Sequence, residues 1–407
     1  MLQVVANRLR ALLPQNNAAG VQSKRDHRID WLRGFALVSI FINHMPGNRL
    51  ENWTTRNFGF SDAAELFVLL AGVAAAFAFF PRFERGDQAG VAVKAVRRAG
   101  KLYSAHLAST LAAVCVFGTA AWLLQNSEVF ELIGVGPVFA DPMGMLFGIL
   151  SGGFQLGYFN ILPLYVFLIL LVPGLMWLAA KDLRLLLATS GIVYLAAHLL
   201  PIDMPNFPTD GGWFFNPFAW QLIFSIGIAL GVLKLRGKGI GWNPVVGGLA
   251  ALYVLFSAVW MARDMGGRIS FGLLPMWMDT LHKSMLPASR LLHILALSYL
   301  LVHSPLWTWM ARISPQNFLT RMGRNSLPVF VLGSLLSMVG YITLVHTGAM
   351  LWLELTLTAA GVLAMTGLAV AIERGVFARW QTSLLAMARG LAGMKLEDEH
   401  GTPVTRR

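Results

Sequence analysis

An arginine and a histidine stand eleven residues apart in the run Arg28-Ile-Asp-Trp-Leu-Arg-Gly-Phe-Ala-Leu-Val-Ser-Ile-Phe-Ile-Asn-His44. At about 100° per residue, that interval brings Arg33 and His44 onto one face of a helix, roughly 16 Å apart along its axis. With Arg33 at the inner edge of a bilayer, His44 lies near the middle of a hydrocarbon layer roughly 30 Å thick. An imidazole titrates close to neutral pH and is the commonest general acid or base. Met45, Pro46 and Gly47 then interrupt the helix, and the carbonyl groups they free imply a polar or protein-lined cavity around the ring. Two readings of His44 stand: a catalytic base, or a hydrogen bond to a neighbouring helix that only fixes packing, with Asp30 and Arg33 paired at the interface.

Other polar residues fall where lipid should exclude them, and charges in such positions are functional candidates by default. Asp62 and Glu65 open the next apolar run with capping-box spacing, Asp62 as the cap and the deeper Glu65 as a candidate to orient His44. Lys94, Arg97, Arg98 and Lys101 follow an i, i+3, i+4, i+7 pattern, so one helical face carries four positive charges. Such a stripe suits phosphates and equally suits anchoring to acidic lipid. Tyr103 and His106 continue the same helix inward and line a passage toward His44 or pack. Asp210-Gly-Gly-Trp213-Phe-Phe-Asn216-Pro-Phe-Ala-Trp220-Gln221 combines an acid, glycines and aromatic rings. Aromatic faces with Asp, Asn and Gln suit a sugar, and Trp and Phe also form interfacial belts. Arg290 and His293 share a face at the start of a later run.

The elements that must hold these residues are membrane helices. The chain has 407 residues, 56% of them hydrophobic and 13% charged, where an ordinary soluble domain carries roughly 25% charged residues. Apolar runs at 30–47, 62–81, 101–124, 161–180, 185–201, 217–234, 241–262, 287–304, 325–345 and 350–373 predict an all-α integral membrane bundle of about ten spans. With both termini inside, 26 of the 32 Lys and Arg fall in inner segments, which is the positive-inside asymmetry. The net charge of +12 is thereby accounted for without nucleic acid. Residues 1–28 read as a cytoplasmic arm, 29–375 as one transmembrane domain and 376–407 as a cytoplasmic tail. The outer loop 125–160 has no Lys or Arg and is rich in glycine and apolar residues in its second half; it either dips into the membrane or turns on its surface. The single cysteine, Cys115, offers neither a disulfide framework nor a cysteine metal site, and no metal is expected.

Several of these segments resemble the OpgC proteins, membrane succinyltransferases of osmoregulated periplasmic glucans, which are themselves similar to the broader acyltransferase-3 group. The resemblance runs through most of the chain. It is carried by Arg28-Ile-Asp-Trp-Leu-Arg-Gly with Ile40-Phe-Ile-Asn-His44, by Asn57-Phe-Gly-Phe-Ser-Asp-Ala-Ala-Glu-Leu-Phe-Val68, by Leu162-Pro-Leu-Tyr165, by Gly212-Trp-Phe-Phe-Asn-Pro-Phe-Ala-Trp-Gln221, by Arg290-Leu-Leu-His293 and by Gly323-Arg-Asn-Ser-Leu-Pro-Val-Phe330. The Arg33 to His44 spacing resembles the acyltransferase-3 signature, whose histidine is regarded as catalytic, and a basic pair on the third span is typical there. Where that group commonly shows an acid before the histidine and Ser-Gly closing the second motif, this chain has Asn43 and Ala71-Gly72.

The resemblance implies an acyltransferase-3-like fold in a bacterial inner membrane. It implies transfer of a succinyl or other acyl group from cytoplasmic acyl-CoA, a co-substrate and not a resident cofactor, to hydroxyls of a periplasmic glucan. On this reading Arg33 and the Lys94 to Lys101 stripe hold the coenzyme phosphates, and neutral His44 is the general base. The competing class is a secondary transporter in which Arg33, His44 and Glu65 form a relay across the spans.

Overall fold

The structure, a computed structural model, describes residues 26–208, 211–263 and 283–376. Most of the expected arm and tail, and Asp210, lie outside the described residues. The described chain is all helical, with one isolated bridge between Pro205 and Gly212. The principal helices are α1 (His27–Asn43), α2 (Ala63–Glu84), α3 (Gln88–Leu124), α4 (Pro142–Ser151), α5 (Ile161–Lys181), α6 (Leu183–Leu199), α7 (Pro217–Leu235), α8 (Pro244–Ala262), α9 (Ala288–His303), α10 (Phe318–Arg324), α11 (Ser326–Thr347) and α12 (Leu351–Glu373). Among the described residues seven of them, α2, α3, α5, α7, α8, α11 and α12, are long and apolar enough to cross a membrane. The other three expected spans are also helices, but α1 and α6 have 17 residues and α9 has 16. At 1.5 Å per residue these are roughly 24–26 Å long, short of a hydrocarbon core of roughly 30 Å.

The helix ends follow local chemistry. Asp62 caps α2 in a full capping box with Glu65. Asp182, Asn216 and Asn243 cap α6, α7 and α8 through their side-chain oxygens, the last two followed by proline in the first turn. Asp26 caps α1 and also takes Arg28 and Lys234. Burial opposes its charge, yet the hydrogen bonds from Arg28 and Lys234 hold this carboxyl well below the usual carboxylate range.

The basic stripe does not precede a span as a separate segment. No proline interrupts Gln88–Leu124, and stripe and span form one helix of 37 residues. The loop beyond it turns back inward. Ile161 and Leu162, the first residues of α5, line a slot with Leu102, which stands 22 residues before the end of α3, roughly 33 Å along the axis. The Tyr103 hydroxyl donates to the Leu150 carbonyl at the end of α4. Of the two readings of loop 125–160, the structure shows the one in which it dips into the bundle.

Two glycine contacts set the bundle's tightest crossings. A Cβ on Gly72 of α2 would meet the Phe224 carbonyl of α7 at 2.1 Å, and one on Gly227 of α7 would meet the Leu69 carbonyl at 2.2 Å. Gly34 of α1 and Gly323 of α10 are matched in the same way. Such close approach of small residues is how helices associate where lipid leaves little hydrophobic gain between them.

Candidate functional site

A cavity of about 620 Å³ opens at the end of the bundle where α1 and α3 begin and α2 finishes. Its wall holds Arg33 of α1, Arg82 of α2 and Lys94, Arg97, Arg98 and Lys101 of α3, over an apolar floor of Phe79, Tyr165 and Ile169. All five cations assigned to phosphate from the sequence therefore meet in one space, joined by Arg82, which the sequence reading missed. Arg82 is paired with Asp87, and Lys94 donates to the Ala78 carbonyl at 2.7 Å while lying 4.9 Å from the Phe79 ring centre. The Nε of Arg33 is buried without a partner among the described residues. Six positive charges, of which Arg82 is paired with Asp87, suit a polyanion, and guanidinium groups can grip phosphate oxygens in pairs. Tyr103 and His106, grouped with these residues in the sequence reading, do not line the cavity. Tyr103 bonds to Leu150, and His106 is fully buried one turn farther out.

His44 ends α1, its amide donating to the Ile40 carbonyl at 3.0 Å. Its ring lies 4.5 Å from that of Tyr158, tilted by 45°, and its Nδ1 has no partner among the described residues. Lys283 and Asp62 are the charged groups acting on it. Tyr158 sits in the inward loop at φ +71, a backbone region that bulky residues rarely adopt. The turn after His44 is held from α12: the Asn48 amide donates to Thr358 at 3.1 Å and the Arg49 N–H to buried Glu354 at 2.9 Å. Asn43, which stands where an acid is common, accepts from the Thr54 hydroxyl at 2.7 Å.

Beside His44 lies a buried charge cluster. Arg290 of α9 donates to Glu65 at 2.7 Å and to Asp62 at 3.1 Å, and Lys283 donates to Asp62 at 2.6 Å. His293 meets the Ser61 hydroxyl through Nδ1 at 2.7 Å, while its Nε2 is buried without a partner among the described residues. Gly59 makes room for that ring, since a Cβ there would fall 2.2 Å from Nε2. Asp62, Glu65, Arg290 and His293 thus converge. The expected contact of Glu65 with His44 is replaced, however: one Glu65 oxygen accepts from Arg290 and the other from the Asp62 amide. Lys283 could not be found from spacing. It reaches Asp62 because Ser284 accepts from the Asn216 amide and the Trp220 indole, and Leu286 from the Tyr194 hydroxyl.

The aromatic segment expected to meet a sugar is turned to internal work. Asn216 caps α7 and donates to the Ile202 carbonyl at 2.8 Å. Trp220 is fully buried against Phe215, with its indole N–H on Ser284. Gln221 donates to the Ser190 carbonyl at 2.7 Å. Trp213 is buried, its indole nitrogen without a partner among the described residues. Asn216, Trp220 and Gln221 are thus held inside the bundle and not presented on an open surface, whereas a ring that stacks on a sugar has to be exposed. The Asn-Pro step that marks a helix start already carried that signal. Among the described residues, no group of His, Cys, Asp and Glu is arranged to hold a metal ion.

No curated protein and no solved structure gives a match to the chain. A family model described as OpgC protein matches residues 25–375. That span takes in every helix from α1 to α12, together with the basic cavity, His44 and the charge cluster on α2 and α9, and the chain therefore belongs to the OpgC family.

Proposed function

We propose that this membrane protein is an acyltransferase that modifies osmoregulated periplasmic glucans, moving a succinyl group from cytoplasmic acyl-CoA to a glucan hydroxyl. The observation that carries the reading is the cavity in which Arg33 joins the α3 stripe, on the same helix as His44 and roughly 16 Å inward of it. The coenzyme phosphates bind those cations, and the thioester extends outward to His44. Neutral His44 takes the proton of a sugar hydroxyl as its oxygen attacks the thioester carbonyl. The acyl–sulfur bond then breaks, an acyl–oxygen bond remains, and the proton passes from the imidazolium to the departing thiolate. A positioned base contributes typically 10²- to 10⁴-fold.

The excess of Lys and Arg in segments between the inner helix ends supports cytoplasmic termini in an inner membrane. A relay transporter through Arg33, His44 and Glu65 is not favoured, because Glu65 is held by Arg290 and the Asp62 amide and no hydrogen bond joins it to His44. Mass spectrometry of periplasmic glucans tests the reading. Cells with the protein should yield succinylated glucans, and cells lacking it or carrying an inserted His44→Ala variant should yield unsubstituted ones. Identical glucans from cells with and without the protein would reject it.

A further inference from the structure

Farther along α3 and α11 than the basic cavity lies a buried polar layer, three of whose side chains have unpartnered polar atoms among the described residues. Arg98 and Tyr165 belong both to the cavity and to a narrow slot that continues between α3, α5 and α11, with Leu102 and Phe330 on its walls. One and two turns farther out, the buried face of α3 carries His106, Ser109 and Thr110, and that of α11 carries Ser334 and Ser337. Beyond them Ala113 and Met338 join an apolar cluster against which Tyr158 packs, and Tyr158 touches His44. Met45 lies against Gly340 of α11, so His44 stands roughly 9 Å outward of Ser334.

Ser109 and Ser337 donate to carbonyls of their own helices. Both ring nitrogens of His106 and the hydroxyls of Thr110 and Ser334 have no partner among the described residues, although all three residues are at most 2% exposed. Buried polar groups left unpaired are costly, and each such group calls for an explanation. Along α3 and α11 these three stand at depths between the apolar slot and the apolar cluster against which Tyr158 packs.

We propose that His106, Thr110 and Ser334 bind the amide groups of the chain that links the donor's phosphates to its thioester. The proposal rests on the acyltransfer reading and names the part of the donor that this layer would take. A secondary amide offers one N–H and one carbonyl; a neutral imidazole and two hydroxyls supply both complements. The distance from Arg33 to His44, roughly 16 Å, is what an extended peptide-like chain covers in about five units.

The test compares three donors on the purified protein: succinyl-CoA, succinyl-pantetheine, which keeps the amides but not the nucleotide, and the succinyl thioester of ethanethiol, which has neither. Thr110→Val, Ser334→Ala and His106→Leu should each lower kcat/KM about tenfold for the two amide-bearing donors and leave the ethanethiol thioester unchanged. His106→Gln, which keeps a donor and an acceptor, should recover part of the loss. Because the readout is a ratio of donors within one variant, a lower folded fraction cancels. Equal loss on all three donors, as packing or a file of water would give, overturns the proposal, as does no loss on any. If the unaltered protein transfers from none of the donors, the acyltransfer reading itself falls and this inference with it.

Discussion

Arg290 lies between two carboxylates with almost no water to screen it: Glu65 is fully buried, and Arg290 is 9% exposed. Removing one partner of a buried ion pair strands the other charge, which typically costs about 3–5 kcal/mol. Lys283 is more open to water, and Asp62 keeps Arg290 when it is removed. Arg290→Met should therefore lower the thermal unfolding temperature of the detergent-solubilised protein clearly more than Lys283→Met, and the reverse order would contradict the assigned burial. The sequence showed that Arg290 and His293 share a helical face, since three residues turn the helix by about 300°, within about 60° of a full turn. It could not show that this face meets Asp62 and Glu65 more than 220 positions earlier, because no local pattern encodes which helices are neighbours. Lys283 was invisible for the same reason, its place being set by Asn216, Trp220 and Tyr194 from two other helices.

At the scale of elements, the contact of α2 with α7 depends on two glycines. Gly72→Leu would drive a side chain into the Phe224 carbonyl, which lies 2.1 Å from the position of its first carbon, and backbone cannot yield as a side-chain tip can. Gly100→Ala on α3 meets nothing within 4 Å and should be neutral or stabilising by up to about 1 kcal/mol. Thermal-shift size-exclusion profiles should show Gly72→Leu aggregated or strongly destabilised and Gly100→Ala unchanged; a tolerated Gly72→Leu would refute the close crossing. Helix existence was largely readable, because apolar runs bounded by Asp62, Asp182, Asn216-Pro217 and Asn243-Pro244 carry both period and caps. The return of loop 125–160 was not, since glycine and apolar residues serve a surface turn and a buried one alike. The inward packing of Asn216, Trp220 and Gln221 was not legible, because amino-acid type alone does not say which way a side chain faces.

The whole molecule is two-sided. Its inner end gathers cations from α1, α2 and α3 around an open cavity, and α1 runs from that cavity to an imidazole against Tyr158. The charge half of this plan was legible, because a helical stripe and the Arg33 to His44 interval are both fixed by a period of 3.6 residues. The connection between them was not, being made by α5 and α11 from distant sequence. The most direct measurement of the central claim is steady-state transfer of labelled succinyl from succinyl-CoA to glucan by the protein in vesicles, with and without His44→Ala. The expected result is a kcat reduced by about 10²- to 10⁴-fold with the donor KM little changed, since the basic cavity proposed to hold the coenzyme is left intact. A His44→Ala protein that turns over within a few-fold of the unaltered one would contradict it.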